Sequence, residues 1–188
     1  MAKLKVNGVT DTSGNQYGFR NGQIIQVRNY MYTDIYEDST TSERDLPGIL
    51  GNGLAGIKTH SNRNHIQFEA TIQAGQNDTW RCQGYRVYWR VGQSGSWNAL
   101  NSANFTSTTY VEGTSGHSRS TSTIAKFDPV AGSSASVGDN VYFKISFEGH
   151  NDGNGLHINK NSSQNTTAQE NSYSVASTMT LSELWRDS

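Results

Sequence analysis

Apolar residues in this chain recur with a period of two, and almost nowhere with the period of a helix, which restricts it to a sheet fold. In "HIQFEATIQ" the residues Ile66, Phe68, Ala70 and Ile72 share one face, opposite Gln67, Glu69 and Thr71. In "NVYFKISFEG" the set Val141, Phe143, Ile145 and Phe147 opposes Tyr142, Lys144, Ser146 and Glu148. "GYRVYWRVG" places Tyr85, Val87, Trp89 and Val91 together and leaves Arg86, Tyr88 and Arg90 outside. Such alternation is the pattern of strands with one face buried. "SRSTSTIAKFDP" and "SYSVASTMTLSELW" are more polar but still extended in preference. Turn-rich stretches separate these runs, among them "DLPGILGNGLAG", "GQSGSW", "PVAGSSASVGDN" and "HNDGNG". Many short strands at this spacing predict an antiparallel sandwich or barrel with little helix.

A chain of 188 residues is long enough to bury one real core. Only 33% of its residues are hydrophobic, against an average of roughly 45–50%. Charge does not fill the gap, since 16% charged residues lies below the usual figure of about 25%. Serine, threonine, asparagine and glycine do, and disorder normally couples low hydrophobicity to high net charge instead. A net charge of -1 gives no electrostatic footprint for nucleic acid. No run approaches the roughly 20 apolar residues of a membrane span. The N-terminal "MAKLKVNGVT" has no apolar secretory segment, so the sequons at Asn77, Asn104, Asn161 and Asn165 read as consequences of composition. The single cysteine, Cys82, reads as a small buried hydrophobe.

Few residues have the spacing that chemistry requires. His60, His65, His117, His150 and His157 are scattered through turns and strand ends without metal-ligand spacing. Asp152 and Asn154 in "HNDGNG" could face a calcium ion, but a hairpin turn accounts better for Asp-Gly and Asn-Gly. The carboxylates Asp34, Glu37, Asp38, Glu43 and Asp45 fall around one loop and Glu148 at a strand end, which reads as solvated charge. No cofactor, metal or catalytic set is expected. The aromatic residues stand out more. Trp80, Tyr88, Trp97 and Tyr110 are candidates for glycan contact, because outward aromatics stack on sugar rings; a neighbouring subunit or a covering loop would also bury them.

The stretch "GQIIQVRNYMYTD" has two competing faces. One carries Ile25, Val27, Asn29, Met31 and Thr33, and the other Ile24, Gln26, Arg28, Tyr30 and Tyr32. With the first face toward the core, Arg28, Tyr30 and Tyr32 become candidates for a subunit interface. Residues 1–21 hold one short alternating run, Leu4, Val6 and Val9, followed by a polar link. They read either as an extended docking arm that adds a strand to a partner or as an edge strand of the same domain.

The order "NGQIIQVRNYMYTD", a Thr/Ser-rich loop and "GLAGIKTHSNRNHIQFEATIQAG", then "GLHINK" and "STMTLSEL", resembles small virion proteins and fibre domains of tailed bacteriophages, especially marine ones. The opening "LKVNGVTDTSG" is similar to the extended start of phage fibre proteins. Where those proteins usually carry a proline, this chain has "IKTHSNRNH". The resemblance implies an all-β, jelly-roll-like antiparallel β-sandwich over 22–188 with an N-terminal docking arm over 1–21. It further implies a homotrimer on the surface of the virion. The expected role is a non-enzymatic tail fibre or receptor-binding appendage, or else a capsid decoration or head-fibre protein. The expected partners are other copies of the chain, other virion proteins and host surface glycan. A carbohydrate-active enzyme resting on Glu148 or Asp152 is the remaining alternative.

Overall fold

The computed structural model describes residues 9–10, 16–17, 22–38, 42–76, 81–100, 107–111, 119–127, 135–149, 156–159 and 176–186. Its strands are β1 (Val9–Thr10), β2 (Gln16–Tyr17), β3 (Ile24–Tyr32), β4 (Tyr36–Asp38), β5 (Arg44–Asp45), β6 (Ala55–Lys58) and β7 (His65–Gln76). They continue with β8 (Arg81–Val91), β9 (Asn98–Ala99), β10 (Ser107–Val111), β11 (Arg119–Phe127), β12 (Asn140–Gly149), β13 (Leu156–Ile158) and β14 (Ser177–Leu184). One 3-10 turn, Gly48–Leu50, is the helical element among the described residues.

Eight principal strands pair in nested fashion. The first pairs with the last (β3 with β14), the second with the seventh (β6 with β12), the third with the sixth (β7 with β11) and the fourth with the fifth (β8 with β10). Every pairing is antiparallel. The nested pairs fold over into two sheets, β3-β14-β7-β11 and β6-β12-β8-β10. This is the strand order of a jelly roll, two Greek keys wrapped into a sandwich. Short strands extend the rows: β13 pairs with β7 beyond the end of β14 and with β4, while β5 and β9 extend the rows of β6 and β10. At the two open sides, β10 lies against β11 and β3 against β6.

The core lies between the sheets and is made by the alternating residues. Ile66, Phe68, Ala70 and Ile72 are buried against Tyr85, Val87, Trp89, Val141, Phe143, Ile145 and Phe147. Phe68 and Phe143 meet across the layers with ring centroids 5.6 Å apart. Each fully buried side chain of this size contributes about 1.5–3 kcal/mol. A modest hydrophobic fraction therefore suffices, because it is concentrated on the inner faces.

Strand β3 faces the opposite way from its expected orientation. Its register with β14 puts Tyr30 beside Met179 and Arg28 beside Leu181, both of them core residues. The tyrosine face is thus the inner one. Met31 and Val27 point out, 64% and 45% exposed, while Tyr30 and Tyr32 pack on the core. The physical reason is the strand's place at the rim, where the inner face must reach the edge of the opposing sheet. Long side chains with polar tips do this, and short aliphatic ones do not. In the N-terminal segment, β1 pairs with β2 as a separate two-stranded sheet.

Candidate functional site

The outer face of β8 and β12 carries the densest polar and aromatic cluster among the described residues. Alternation puts Arg86, Tyr88 and Arg90 on that face, and the register sets them beside Ser146, Lys144 and Tyr142. The pairing of β5 with β12 brings Asp45 opposite Ser146, with Glu43 just before it, and the turn after β8 brings in Trp97.

Glu43 is the hub. Its Oε1 accepts hydrogen bonds from Tyr88 Oη (2.5 Å) and Ser146 Oγ (2.5 Å), and its Oε2 from Arg86 Nη1. Arg86 also lies 3.7 Å from Glu148. Burial opposes ionisation of Glu43, but the hydroxyls of Ser146 and Tyr88 and the Arg86 guanidinium outweigh it and hold its pKa below the usual carboxylate value. The Tyr88 phenol is pushed up by burial and by Glu43. Lys144 Nζ binds both oxygens of Asp45, at 2.7 and 2.8 Å.

The aromatic residues of this face are engaged as well. Arg90 stacks over Trp97 at 4.3 Å and lies 5.7 Å from the Tyr142 ring. Lys144 Nζ is 5.1 Å from the Trp97 ring and 5.4 Å from that of Tyr88. Gly53 is required beneath Trp97, since its φ is +71° and a Cβ there would stand 2.5 Å from Trp97 Cζ2. Gly56 likewise admits the Tyr142 ring, 2.7 Å from where a Cβ would sit. The cluster is a layer of cations, rings and carboxylates closed on itself. A glycosidase acid needs a carboxyl raised toward neutrality, and Glu43 is shifted the other way.

A second polar hub ties down the end of β14. Glu183 is fully buried and accepts from the His60 N–H (2.7 Å) and Asn64 Nδ2 (2.8 Å), and it pairs with His60 Nδ1 (2.7 Å). The Arg186 N–H donates to Asn64 Oδ1 (3.3 Å). The loop after β6 is thereby fastened to the C-terminal strand.

A third set joins the rims of the sandwich. Tyr30 Oη accepts the Gly56 N–H (2.9 Å) and donates to the Gly56 carbonyl. With its amide turned so that both atoms are satisfied, Gln26 donates to the Lys58 carbonyl (2.9 Å) and accepts from Arg28 Nε (3.1 Å). The backbone edge of β6 is therefore capped by β3 side chains in place of another strand.

Of the glycan candidates, Tyr88 and Trp97 lie in the closed cluster, Tyr110 enters through its backbone pairing with Cys82, and Trp80 lies outside the described residues. Of the arm residues, Leu4 and Val6 lie outside the described residues, and Val9 pairs with Tyr17. Tyr30 and Tyr32 serve the inner rim of their own chain, and Arg28 is exposed beside them. Neither carboxylate hub was singled out from the sequence. For Glu183 a signal existed, because it continues the buried series Ser177, Met179, Leu181 in "STMTLSEL". For Glu43 there was none, since its partners come from β8 and β12, far along the chain.

The strand order and the closed polar face define an all-β jelly-roll sandwich. No family model matches the chain, and a search of curated proteins finds no match. Among solved structures it is similar to a chain of the infectious bursal disease virus Gx strain, at 9% identity and a TM-score of 0.38, over 86% of this chain and 37% of that one. It is also similar to a chain of the Gt strain, at 9% identity and a TM-score of 0.35, over 96% of this chain and 40% of that one. The chain thus spans about two-fifths of the length of those neighbours, 37% and 40%. No functional argument rests on either likeness.

Proposed function

We propose that this chain is a non-enzymatic structural protein of a bacteriophage virion, a tail-fibre or receptor-binding appendage subunit that docks through residues 1–21 and carries its sandwich toward the host surface. The observation that carries this reading is the jelly-roll strand order, an architecture of viral capsid and lectin domains and of cupins. Fold alone does not fix function. Two further features support the choice within that group. The space between the sheets is filled by side chains such as Phe68, Phe143, Phe147 and Met179, as in a building block. The short motifs that resemble phage virion proteins fall on β3, β6, β7, β13 and β14. The partners on this reading are other virion proteins, further copies of the chain and host surface glycan.

Deleting residues 1–18 tests the docking role. The expected result is a folded domain that no longer enters particles, and normal incorporation of the truncated chain overturns it. A second reading, a capsid decoration or head-fibre protein, is favoured by the engagement of Tyr88 and Trp97 within the chain, which leaves fewer rings for sugar. Quantifying the protein in purified particles separates the two. A few copies located at the tail support an appendage, and recurrence over many capsomers supports decoration.

A further inference from the structure

We propose that the open edge of β3 is a self-association site, at which β3 of a second copy adds antiparallel across a two-fold axis. Three observations carry this. First, β3 is a nine-residue strand paired on one side, with β14, and among the described residues no strand pairs with its other side. A row of unpaired N–H and C=O groups calls for another strand. Second, the remaining rims offer no comparable edge among the described residues: β6 is capped by Tyr30 and Gln26, and β10 and β11 lie against each other. The matching edge in a second copy is therefore β3 itself. Third, the outward residues beside this edge include Val27 and Met31, both well exposed.

Geometry selects a register. The Tyr32 carbonyl accepts from Asn159, which lies in the row of β13 and β14 (2.7 Å), so the even-numbered backbone groups turn toward β14. Val27, Asn29 and Met31 then present their N–H and C=O groups to the open edge. A two-fold pairing centred on Arg28 would set like charges face to face. Centring it on Asn29 removes that conflict. Asn29 then pairs with its own copy, Val27 with the partner copy's residue 31, and Arg28 with its residue 30, a cation beside a phenol ring. The contact is two-fold, so it yields dimers or multiples of two in place of the trimer that the sequence resemblance implies. It holds whether or not the chain is a virion protein.

The test is the mass of the full-length protein in solution, by sedimentation and light scattering at micromolar concentrations. The wild type should run as a dimer or an even multiple. Asn29→Pro removes an edge N–H, and Met31→Lys places a charge on the outer face. Each should weaken association at least tenfold while circular dichroism remains that of a folded sheet protein. Asn29→Cys tests the register without disrupting the fold, because a hydrogen-bonded antiparallel pair sets its Cα atoms about 5.5 Å apart, within disulfide range. Under mild oxidation it should give a covalent dimer absent from the wild type, which retains Cys82. A monomeric wild type, an odd-numbered assembly unchanged by Met31→Lys, or no cross-link from Asn29→Cys overturns the proposal.

Discussion

Two buried or half-buried carboxylates set how single substitutions behave. Glu183 accepts hydrogen bonds from the loop after β6 while fully buried, so its charge is held by donors rather than by water. Glu183→Gln keeps the volume but presents an amide N–H₂ where a donor already points. The expected loss is about 2–4 kcal/mol, read as a lower urea midpoint with an unchanged slope. Glu43 differs because its pKa is lowered on folding. A depressed carboxylate contributes stability that is fully present above its unfolded value, here 4.5, and that disappears as pH falls through the folded value. Wild type and Glu43→Gln should therefore differ clearly in stability at neutral pH and converge as pH drops below 4.5. A gap that stays constant down to strongly acidic pH would refute the assigned role.

Among the strands, the interior was legible in the sequence and the rim was not. Central strands β7, β8 and β12 pack one face against an apolar layer, so strict alternation announced which residues were inside, and Phe68, Val87 and Phe143 lie where the pattern put them. Strand β3 obeys a different physics. Its inner face meets the backbone edge of β6, a polar target, so the residues that belong inside are Gln26 and Tyr30. Hydropathy reads such a strand backwards, as Met31 shows. The useful signal was the pairing of long amphipathic side chains at alternate positions. Glu43 was illegible for another reason, since its hub exists only once β5 has paired with β12. The rim account predicts that Tyr30→Phe, which keeps the ring and removes the hydroxyl, costs about 1–2 kcal/mol by releasing the Gly56 N–H and carbonyl. Hydrogen exchange at Gly56 should accelerate in that variant while Ile145, deep in β12, stays protected.

Nested pairing makes the whole molecule depend on its last strand. β14 lies between β3 and β7, with the full register of Thr178 to Leu184 shared with β7 and the other side shared with β3. Its removal would unpair both neighbours at once and take Met179, Leu181 and Glu183 out of the core. The first and last principal strands meet only after nearly the entire chain has been laid down, so the pairing is non-local and costly in loop entropy. Refolding should accordingly take milliseconds to seconds rather than the microseconds of a helical bundle. A chain ending before Ser177 should not fold, even though it retains every residue of the sheet formed by β6, β12, β8 and β10. Near-ultraviolet circular dichroism provides the readout, because the packed Trp89 and Tyr85 report tertiary order. If the truncated chain keeps the native aromatic signal and a cooperative melt, the two sheets are independently stable and the nested order does not govern cooperativity. If adding the peptide 176–186 in trans restores the signal, the strand has been supplied from outside, and the open sheet behaves as a site for strand addition.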